Sequence, residues 1–346
     1  MLFQFPHSIT DIIYSSENDD LNKLSILTDR YYDVFIHMLL LLRGNPSYIQ
    51  FLQSSLPSPS SLFLQYHLDI HCIFAIIRSF QSSLPFLQSL TSPPNQTNPW
   101  ELRSLSNQQL INHFYPSSIW NEISYEGYLV FWLLEYQDLA TNSICYDEYV
   151  KIIETEIKNK QKKTTSRTER QITRGINELK KEIETIQKEK QQQEEHVRNI
   201  DELLKNVISS FFCTEDIDCG ITSFIQYCLV PRILASSLDA LYCYQFVRRL
   251  VENQVPHYNH VHFVRRVLFV LLSLLRGVTE AEASNISIFL VELFTDLSKW
   301  YEKENEYSSK CEKNNCFMND NKKGENQIMT YDMYKKVCFL FISIKK

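Results

Sequence analysis

Apolar side chains recur with the period of an α-helix along most of the chain, most clearly between residues 223 and 300. Ser236 with Asp239, and Thr279 with Glu282, match the Ser/Thr-x-x-acid signature of a helix start. Apolar positions three and four residues apart then form three successive stripes. Helices of this kind must bury their stripes against one another, so the pattern predicts an all-α, helical-repeat fold of antiparallel helix pairs. The stripes are Ala240, Cys243, Tyr244, Val247, Leu250 and Val251; Val261, Val264, Val267, Leu268, Leu271, Leu272 and Leu275; and Ile286, Leu290, Leu293, Phe294, Leu297 and Tyr301.

Clusters of proline, serine and asparagine separate further helices in the rest of the chain. They punctuate helices because the flanking apolar periods are close to 3.6 and not to 2. The predicted elements are a helix that begins at Thr28 or Asp29 and ends at Gly44, helices over about 62–80, 125–136 and 331–346, and an exposed polar loop over 302–327.

These elements suggest a division of the chain into successive regions. The final helix has no polar capping unit, which a helical solenoid normally needs at its end. We therefore expect a fragment of a longer array. The predicted regions are an unassigned N-terminal helical region (1–104), a helical repeat (105–150), a basic loop with a long heptad helix (151–207), the helical-repeat core (208–301), the polar loop (302–327) and a truncated repeat (328–346).

Residues 151–207 differ in charge, with 14 Lys and Arg against 11 Asp and Glu in a chain of net charge −6. The stretch 158–170 is polar and basic and is predicted to be a solvated loop. Beyond it, apolar residues alternate at steps of four and three, with one polar interruption at Lys190 and Gln193, which is typical of a heptad seam. The seam could pack on the helices that follow it in the chain or be offered to a partner helix. Its residues are Ile172, Ile176, Leu179, Ile183, Ile186, Val197, Ile200, Leu204 and Val207.

Composition argues against several classes of function. The chain has six glycines in 346 residues, well below the usual share of about 7%, whereas Rossmann and P-loop folds need glycine at phosphate turns. Nine cysteines, an odd number without a dense framework, favour a reducing compartment. The longest apolar runs fall short of the roughly 20 residues that span a bilayer. Nucleophile and phosphate-binding motifs were not found, so we predict no enzyme activity, no catalytic residues and no cofactor.

Two histidine clusters are candidate metal sites. His67 and His71 are four residues apart, which places both imidazoles on one face of a helix, but they lack a third ligand and the glutamate of a zinc-protease motif. His257, His260 and His262 follow a proline in a connection between two helices, where a solvated loop is the favoured interpretation over a zinc site. We therefore predict no metal centre.

Two arginine pairs lie off the apolar stripes. Arg248, Arg249, Arg265 and Arg266 fall on helices predicted to be neighbours, so four guanidinium groups could share one surface. Because the guanidinium fork suits phosphates and carboxylates, that surface could contact RNA or an acidic partner. The alternative is an ordinary solvated face with ion pairs, for example to Glu252.

A further arginine, Arg232, follows Pro231 at a predicted helix break. We expect it to bond the exposed carbonyl groups of the preceding helix end, which is a structural role. Cys228 and Cys243 lie within apolar segments and are predicted to be small core residues.

The segment 224–247 carries one long ungapped pattern, F-x-Q-x-C-hydrophobic-x-P-R followed by D-A-hydrophobic-Y-C-x-x-F-V. It resembles the family of the large scaffold subunit of the THO complex, the nuclear assembly that couples transcription to mRNA packaging and export. The resemblance extends over about 105–345. Its residues are Phe224, Gln226, Cys228, Pro231, Arg232, Asp239, Ala240, Tyr242, Cys243, Phe246 and Val247, with Trp120, Tyr128, Phe131, Trp132, Tyr136, Asp138, Leu139, Glu195 to Val197, Glu280 to Ala283, Lys299 and Trp300.

The resemblance implies a nuclear, non-catalytic scaffold. Such a protein binds the other THO subunits and presents a helical middle domain to a DEAD-box RNA helicase. It is expected to contact mRNA weakly or indirectly, and no membrane or small-molecule substrate. Two alternatives stay open from the residues alone: an RNA-binding helical-repeat protein that uses the arginine pairs, and a self-associating coiled-coil structural protein.

Overall fold

The computed structural model of the chain describes residues 21–43, 59–66, 70–80, 117–162, 169–312, 314–320 and 326–342, with residues 45, 47, 57, 68 and 87. These residues are mostly helical, which confirms the predicted all-α helical-repeat fold. The helices are α1 (Leu21–Arg43), α2 (Pro59–Leu64), α3 (Ile70–Phe80), α4 (Tyr125–Leu133), α5 (Tyr136–Leu139), α6 (Ser143–Lys162), α7 (Glu169–Ile208), α8 (Ile217–Phe224), α9 (Val230–Ala235), α10 (Ser237–Glu252), α11 (His260–Leu274), α12 (Glu280–Glu302), α13 (Glu304–Lys310) and α14 (Tyr331–Ile342), with a 3₁₀ turn at Ser117–Asn121 and a π-helical turn at Ile225–Leu229.

The chain divides into two compact units. The smaller unit is Gln137–Glu202, and the larger combines Met1–Tyr136 with Leu203–Lys346. Within the larger unit, α12 packs against both α9 and α10. The same unit contains the antiparallel strands β1 (Met318–Asp320) and β2 (Asn326–Ile328).

Both predicted helix starts of the core are confirmed. Thr279 and Glu282 form a complete capping box: Thr279 N donates to Glu282 Oε2 at 2.7 Å, and Glu282 N donates to Thr279 Oγ1 at 3.2 Å. At Ser236 only half of the box forms, because Asp239 N donates to Ser236 Oγ at 3.1 Å while the Asp239 carboxylate serves another partner. Such caps satisfy backbone donors that have no acceptor within the helix.

The apolar stripes predicted the buried faces of the core helices well. Every stripe residue of α10 is buried, including Cys243, and Cys228 is buried as expected. On α12 the stripe residues Ile286, Leu293 and Leu297 are buried, but Leu290, Phe294 and Tyr301 are only half-buried. Phe289 and Trp300, which the spacing did not single out, are buried. On α11 the last two stripe residues, Leu272 and Leu275, are exposed instead.

Four phenylalanine rings form the centre of the larger unit. Phe131 and Phe246 meet edge to face with 5.0 Å between ring centroids, and Phe211 and Phe224 do so at 5.3 Å. Phe131 also meets Phe224 edge to face at 5.6 Å. Edge-to-face pairs add to the stabilisation that burial of the rings gives. The segment after α7 is thereby fixed against α4, and an isolated bridge between Ile123 and Phe212 joins the same two segments.

The boundaries of the N-terminal helices correct the sequence prediction. Helix α1 begins at Leu21 and not at Thr28 or Asp29, and the carboxylate of Asp29 accepts a 2.8 Å hydrogen bond from Thr279 Oγ1. The single helix expected over 62–80 is two helices, α2 and α3, because the chain turns after Leu64 and Leu68 N donates back to Leu62 O at 3.1 Å.

The prediction of an exposed loop over 302–327 is also wrong. Helix α13 and strand β1 lie within this segment, and several of its few apolar residues are buried. Tyr307 stacks on Tyr334 with 4.6 Å between ring centroids, and Tyr307 Oη donates to Met329 O at 2.8 Å. A low apolar content therefore does not prevent burial when the apolar residues are aromatic and meet an existing core. The buried members are Tyr307, Cys311, Cys316 and Phe317.

No helix break occurs at Pro231. The backbone stays helical from α8 through the π-helical turn Ile225–Leu229 into α9, where Pro231 lies in the first turn. Proline lacks the N–H that would donate to the carbonyl group one turn earlier in an α-helix. The wider π turn before Pro231 removes the need for that hydrogen bond, so the helix continues.

The smaller unit is a hairpin of α6 and the part of α7 up to Glu202. Helix α6 runs to Lys162, so the solvated loop predicted from residue 158 starts later than expected, and 163–168 lie outside the described residues. Ile153 and Ile157 of α6 form a buried cluster with Ile186 of α7. Around this cluster pack Tyr146, Val150, Ile176, Leu179 and Ile183.

Candidate functional site

Arg232 is the most deeply buried charged residue that the structure describes, with 1% of its surface exposed. Its Nε donates to Asp239 Oδ1 at 2.7 Å, and Nη2 donates to Leu134 O at 2.7 Å. Nη1 donates to Phe131 O. The two carbonyl groups belong to the C-terminal end of α4, where helix carbonyls lack partners within the helix. Arg232 therefore does bond carbonyl groups at a helix end, but the prediction that this is the preceding helix end is wrong: the helix is α4, about a hundred residues earlier.

A second arginine completes this buried centre. Arg78 of α3 donates from Nη1 to Trp132 O at 3.1 Å and lies 3.5 Å from Asp239 Oδ1. Asp239 Oδ2 accepts a 2.9 Å bond from Ser236 Oγ. Burial alone would raise the pKa of Asp239, but the charges of Arg78 and Arg232, together with the hydrogen bonds from Arg232 and Ser236, outweigh burial and lower it to about 2. The carboxylate is therefore ionised at neutral pH.

The centre is closed by aromatic rings. The guanidinium carbon of Arg232 lies 3.5 Å from the centroid of the Tyr242 ring, a cation–π contact. Phe131 and Trp132 provide further rings at 5.3 and 5.9 Å. These residues join α3, α4, α9 and α10, so the motif noticed in the sequence forms a structural core and not an exposed reactive site. Arg78 was missed by sequence reasoning because nothing in its local pattern marks a partner 161 residues away.

The two arginine pairs contact different carboxylate groups. Arg248 and Arg249 both bind Glu252, at 2.9 and 2.6 Å. Arg266 instead donates to both carboxylate oxygens of Asp218 on α8. Arg265 is exposed and has no ion-pair partner among the described residues. Three of the four guanidinium groups are thus already occupied by carboxylates.

The histidines serve as structural hydrogen-bond partners. His260 begins α11 and is buried, which corrects the expected solvated loop, and its Nδ1 lies 3.1 Å from Tyr258 Oη. Burial lowers the pKa of His260 to about 4. His262 lies 2.7 Å from Asp218, and His71 lies 2.8 Å from Tyr32 Oη. His67 is outside the described residues, and His257 is exposed.

No group of three or more His, Cys, Asp or Glu side chains that could hold a metal ion occurs in the part of the chain that the structure describes. Among the same residues, no helix is both long and apolar enough to cross a membrane.

The heptad seam is partly covered within its own unit. Ile186 is buried against α6, and Ile176, Leu179 and Ile183 pack beside it. At the polar interruption Lys190 Nζ donates to Asp147 Oδ1 of α6 at 2.7 Å, so this position also has a partner within the hairpin. Of the remaining seam residues, Val197, Ile200 and Leu204 are buried, whereas Ile172 and Val207 are half-buried.

A cavity of about 580 Å³ opens between α10, α12 and α13 in the larger unit. Trp300 and His260 contribute to its wall, and two of its charged residues, Lys299 and Asp296, pair with each other at 3.2 Å one turn apart on α12. Nothing in the local sequence pattern indicates this cavity, because its walls come from three separate segments.

These features describe an all-α helical-repeat protein with a closed polar core. A family model described as transcription factor/nuclear export subunit protein 2, Tho2, matches residues 120–343. That region covers well over half of the chain and includes Arg232, Asp239 and the phenylalanine centre. The chain belongs to the Tho2 family.

Curated relatives are named THO complex subunit 2. The human protein is 27% identical over 199 residues, which cover 56% of this chain and 12% of the human protein. The protein of Arabidopsis thaliana is 27% identical over 206 residues, covering 57% of this chain and 11% of its own length. The protein of Dasypus novemcinctus is 27% identical over 206 residues, or 56% and 12%. The chain thus matches about an eighth of these relatives.

Proposed function

We propose that this chain is a non-catalytic scaffold part of a THO-like complex that couples transcription to mRNA processing and export in the nucleus. The observation that carries the proposal is the family match over residues 120–343. The names of the relatives place them in a THO complex. The matched region contains Arg232 and Asp239, whose buried contacts fix the relative positions of helices and leave their outer surfaces for binding.

The partners in this proposal are the other THO subunits and a DEAD-box RNA helicase. A stack of helices with a closed core does no chemistry in this role. It orders its partners by offering rigid surfaces at fixed spacing, which lowers the entropic cost of assembly. The matched region is only about 12% of the human relative. That the whole protein binds these partners is therefore itself a proposal.

Direct RNA binding is the less favoured role. A phosphate that approached Arg248, Arg249 or Arg266 would have to displace Glu252 or Asp218. Phosphate contacts supply most of the affinity of non-specific nucleic-acid binding. Arginines already neutralised by carboxylates therefore favour protein partners, with mRNA as a weak or indirect one.

Affinity purification tests the proposal. The protein that contains this chain is tagged in its own cells and purified at moderate salt, and the recovered proteins are identified by mass spectrometry against an untagged strain. We expect the other THO subunits and a DEAD-box helicase to be enriched. Enrichment of neither would contradict the proposal. Loss of the helicase alone would restrict it to the THO subunits.

A further inference from the structure

Helix α11 buries one face and exposes large apolar side chains on the other. Its inner face is buried through Phe263, Val264, Val267 and Leu271. On the outer side, Phe269 is 69% exposed and Leu272 is 42% exposed. Neighbouring exposed apolar side chains are a mark of interaction sites on protein surfaces. The open face therefore has the character of a contact surface.

The outer residues lie on one side of α11 and in the turn that follows it. Arg265, Phe269 and Leu272 stand at i, i+4 and i+7, which lie on one side of a helix. Leu275, which is 42% exposed, and Arg276, which is also exposed, come directly after the helix ends at Leu274. One arginine therefore precedes the apolar part and the other follows it. We call these five residues the α11 ridge.

The charged residues of the α11 ridge, Arg265 and Arg276, are both positive. Residues 260–277 contain no Asp or Glu, although the whole chain has a net charge of −6. Asp218 neutralises Arg266 and accepts a bond from His262, but no carboxylate in the described residues pairs with Arg265 or Arg276. Two exposed cations thus flank an exposed apolar strip that lacks acidic neighbours.

We propose that the α11 ridge is the docking site for an acidic amphipathic helix of a partner protein. Such a helix places its apolar side chains against Phe269, Leu272 and Leu275, and carboxylates at both ends reach Arg265 and Arg276. Apolar burial supplies affinity, and the paired charges fix the register of the two helices. This proposal rests on the scaffold function above and names the chemistry of one partner.

The residues of the ridge disfavour other occupants. A second copy of the chain would bring α11 against α11, with arginine facing arginine at both ends. Single-stranded RNA binds through several aromatic rings on which bases stack, whereas this ridge offers one ring and two aliphatic side chains. A helix also suits the shape, because ridges of side chains pack into the grooves of a facing helix.

Binding of a designed peptide to the full chain tests the proposal. The probe is a fluorescein-labelled amphipathic helix of about 18 residues, long enough to span the ridge. It carries leucine on one face and glutamate flanking that face, and a matched peptide carries lysine in place of glutamate. Fluorescence anisotropy at low salt is expected to show binding of the glutamate peptide and little binding of the lysine peptide. Equal affinity for both peptides, or no binding of either, overturns the proposal.

Variants locate the site. Phe269→Ala is expected to weaken binding about tenfold or more, as is typical of an aromatic anchor. Val291→Ser, an equally exposed apolar position on α12, is the matched control and should leave the affinity unchanged. The double variant Arg265→Glu/Arg276→Glu should reverse the preference to the lysine peptide, whereas Arg198→Glu on α7 should not. These positions are exposed, so circular dichroism should show wild-type helix content.

The remaining outcomes are equally decisive. Equal binding by the Phe269→Ala and Val291→Ser variants would overturn the proposal, as would tighter binding of a labelled oligouridylate than of the peptide. None of these results bears on whether THO subunits co-purify with the protein. A failure of the α11 ridge is therefore distinguishable from a failure of the proposed scaffold function.

Discussion

Arg232 Nε and Asp239 Oδ1 lie 2.7 Å apart in the interior of the larger unit, on consecutive helices α9 and α10. Neither group has access to bulk water, so each charge depends on the other and on the surrounding hydrogen bonds. The pair is completed by Arg78 and by carbonyl groups at the end of α4. One polar cluster thus joins α9 and α10 to two helices, α3 and α4, that lie about a hundred residues or more earlier in the chain.

Removing the charge of Asp239 should destabilise the larger unit strongly. Asp239→Asn leaves two buried guanidinium groups without a carboxylate, and breaking a buried pair in this way costs about 3–5 kcal/mol. Urea unfolding followed by circular dichroism measures the change. The matched control is Asp147→Asn, which breaks the exposed pair with Lys190 and should cost under about 1 kcal/mol. Equal costs for the two variants would show that the buried cluster contributes no more than a surface ion pair.

Two glycines should respond in opposite directions to alanine. A Cβ at Gly127 would lie 2.6 Å from Cδ2 of Phe211, whereas at Gly175 the nearest atom is Lys160 Nζ at 4.0 Å. Forcing an extra methyl group into a packed core lowers the free energy of unfolding by about 1–3 kcal/mol. Replacing a glycine by alanine at an unobstructed helix position raises it by up to about 1 kcal/mol. We expect Gly127→Ala to lower and Gly175→Ala to raise the free energy of unfolding. A stabilised Gly127→Ala variant would mean that Phe211 does not press on α4.

Acid should weaken the larger unit through His260. Its pKa is lowered to about 4 in the folded chain from an ordinary 6.5, so between these values the unfolded chain binds the extra proton. The free energy of unfolding should therefore be highest above pH 6.5 and fall as the pH drops towards 4, by on the order of 3 kcal/mol. Urea unfolding at several pH values measures this slope. His260→Gln should reduce the slope, whereas His257→Gln, at an exposed position, should leave it unchanged.

In the smaller unit His196 should behave in the opposite way. Its Nε2 lies 2.8 Å from Asp138 Oδ1, and this hydrogen bond raises the pKa of His196 above 6.5. The contribution of the pair to stability is present below pH 6.5 and is lost as the pH rises through the folded pKa. Nuclear magnetic resonance titration of the imidazole measures the pKa directly. Asp138→Asn should lower it, and an unchanged value in that variant would exclude Asp138 as the cause.

The apolar spacing predicted the fold class and the inner faces of α10 and α12, because those faces depend only on the period of a helix. It also placed the start of α12, since the Thr279–Glu282 box is a local signal. The division at Leu64 and the burial of Tyr307 were not predictable in the same way. The division at Leu64 is a local turn in which Leu68 N donates to Leu62 O, and the burial of Tyr307 depends on Met329 and Tyr334, more than 20 residues further along the chain.

The buried centre shows the same limit more sharply. The F-x-Q-x-C to F-V pattern drew attention to Arg232 and Asp239, but their partners Arg78, Phe131 and Leu134 lie about a hundred residues or more away. For the arginine pairs, the sequence offered Glu252 as an ion-pair partner, and Arg248 and Arg249 do contact it, but nothing near Arg266 in the sequence indicates Asp218. Phe269 lies off the predicted stripe of α11, so its exposure agrees with the pattern, whereas the exposure of Leu272 and Leu275 within the stripe does not.

Reconstitution from purified components tests the central claim most directly. This chain is mixed with the other THO subunits, purified without their own large subunit, and analysed by size-exclusion chromatography with light scattering. We predict that the chain elutes with at least one subunit as a complex of defined mass. As a control, the folded chain should form no complex with an unrelated acidic protein. Separate elution of the chain from every subunit, with its helical circular dichroism spectrum intact, would contradict the scaffold function.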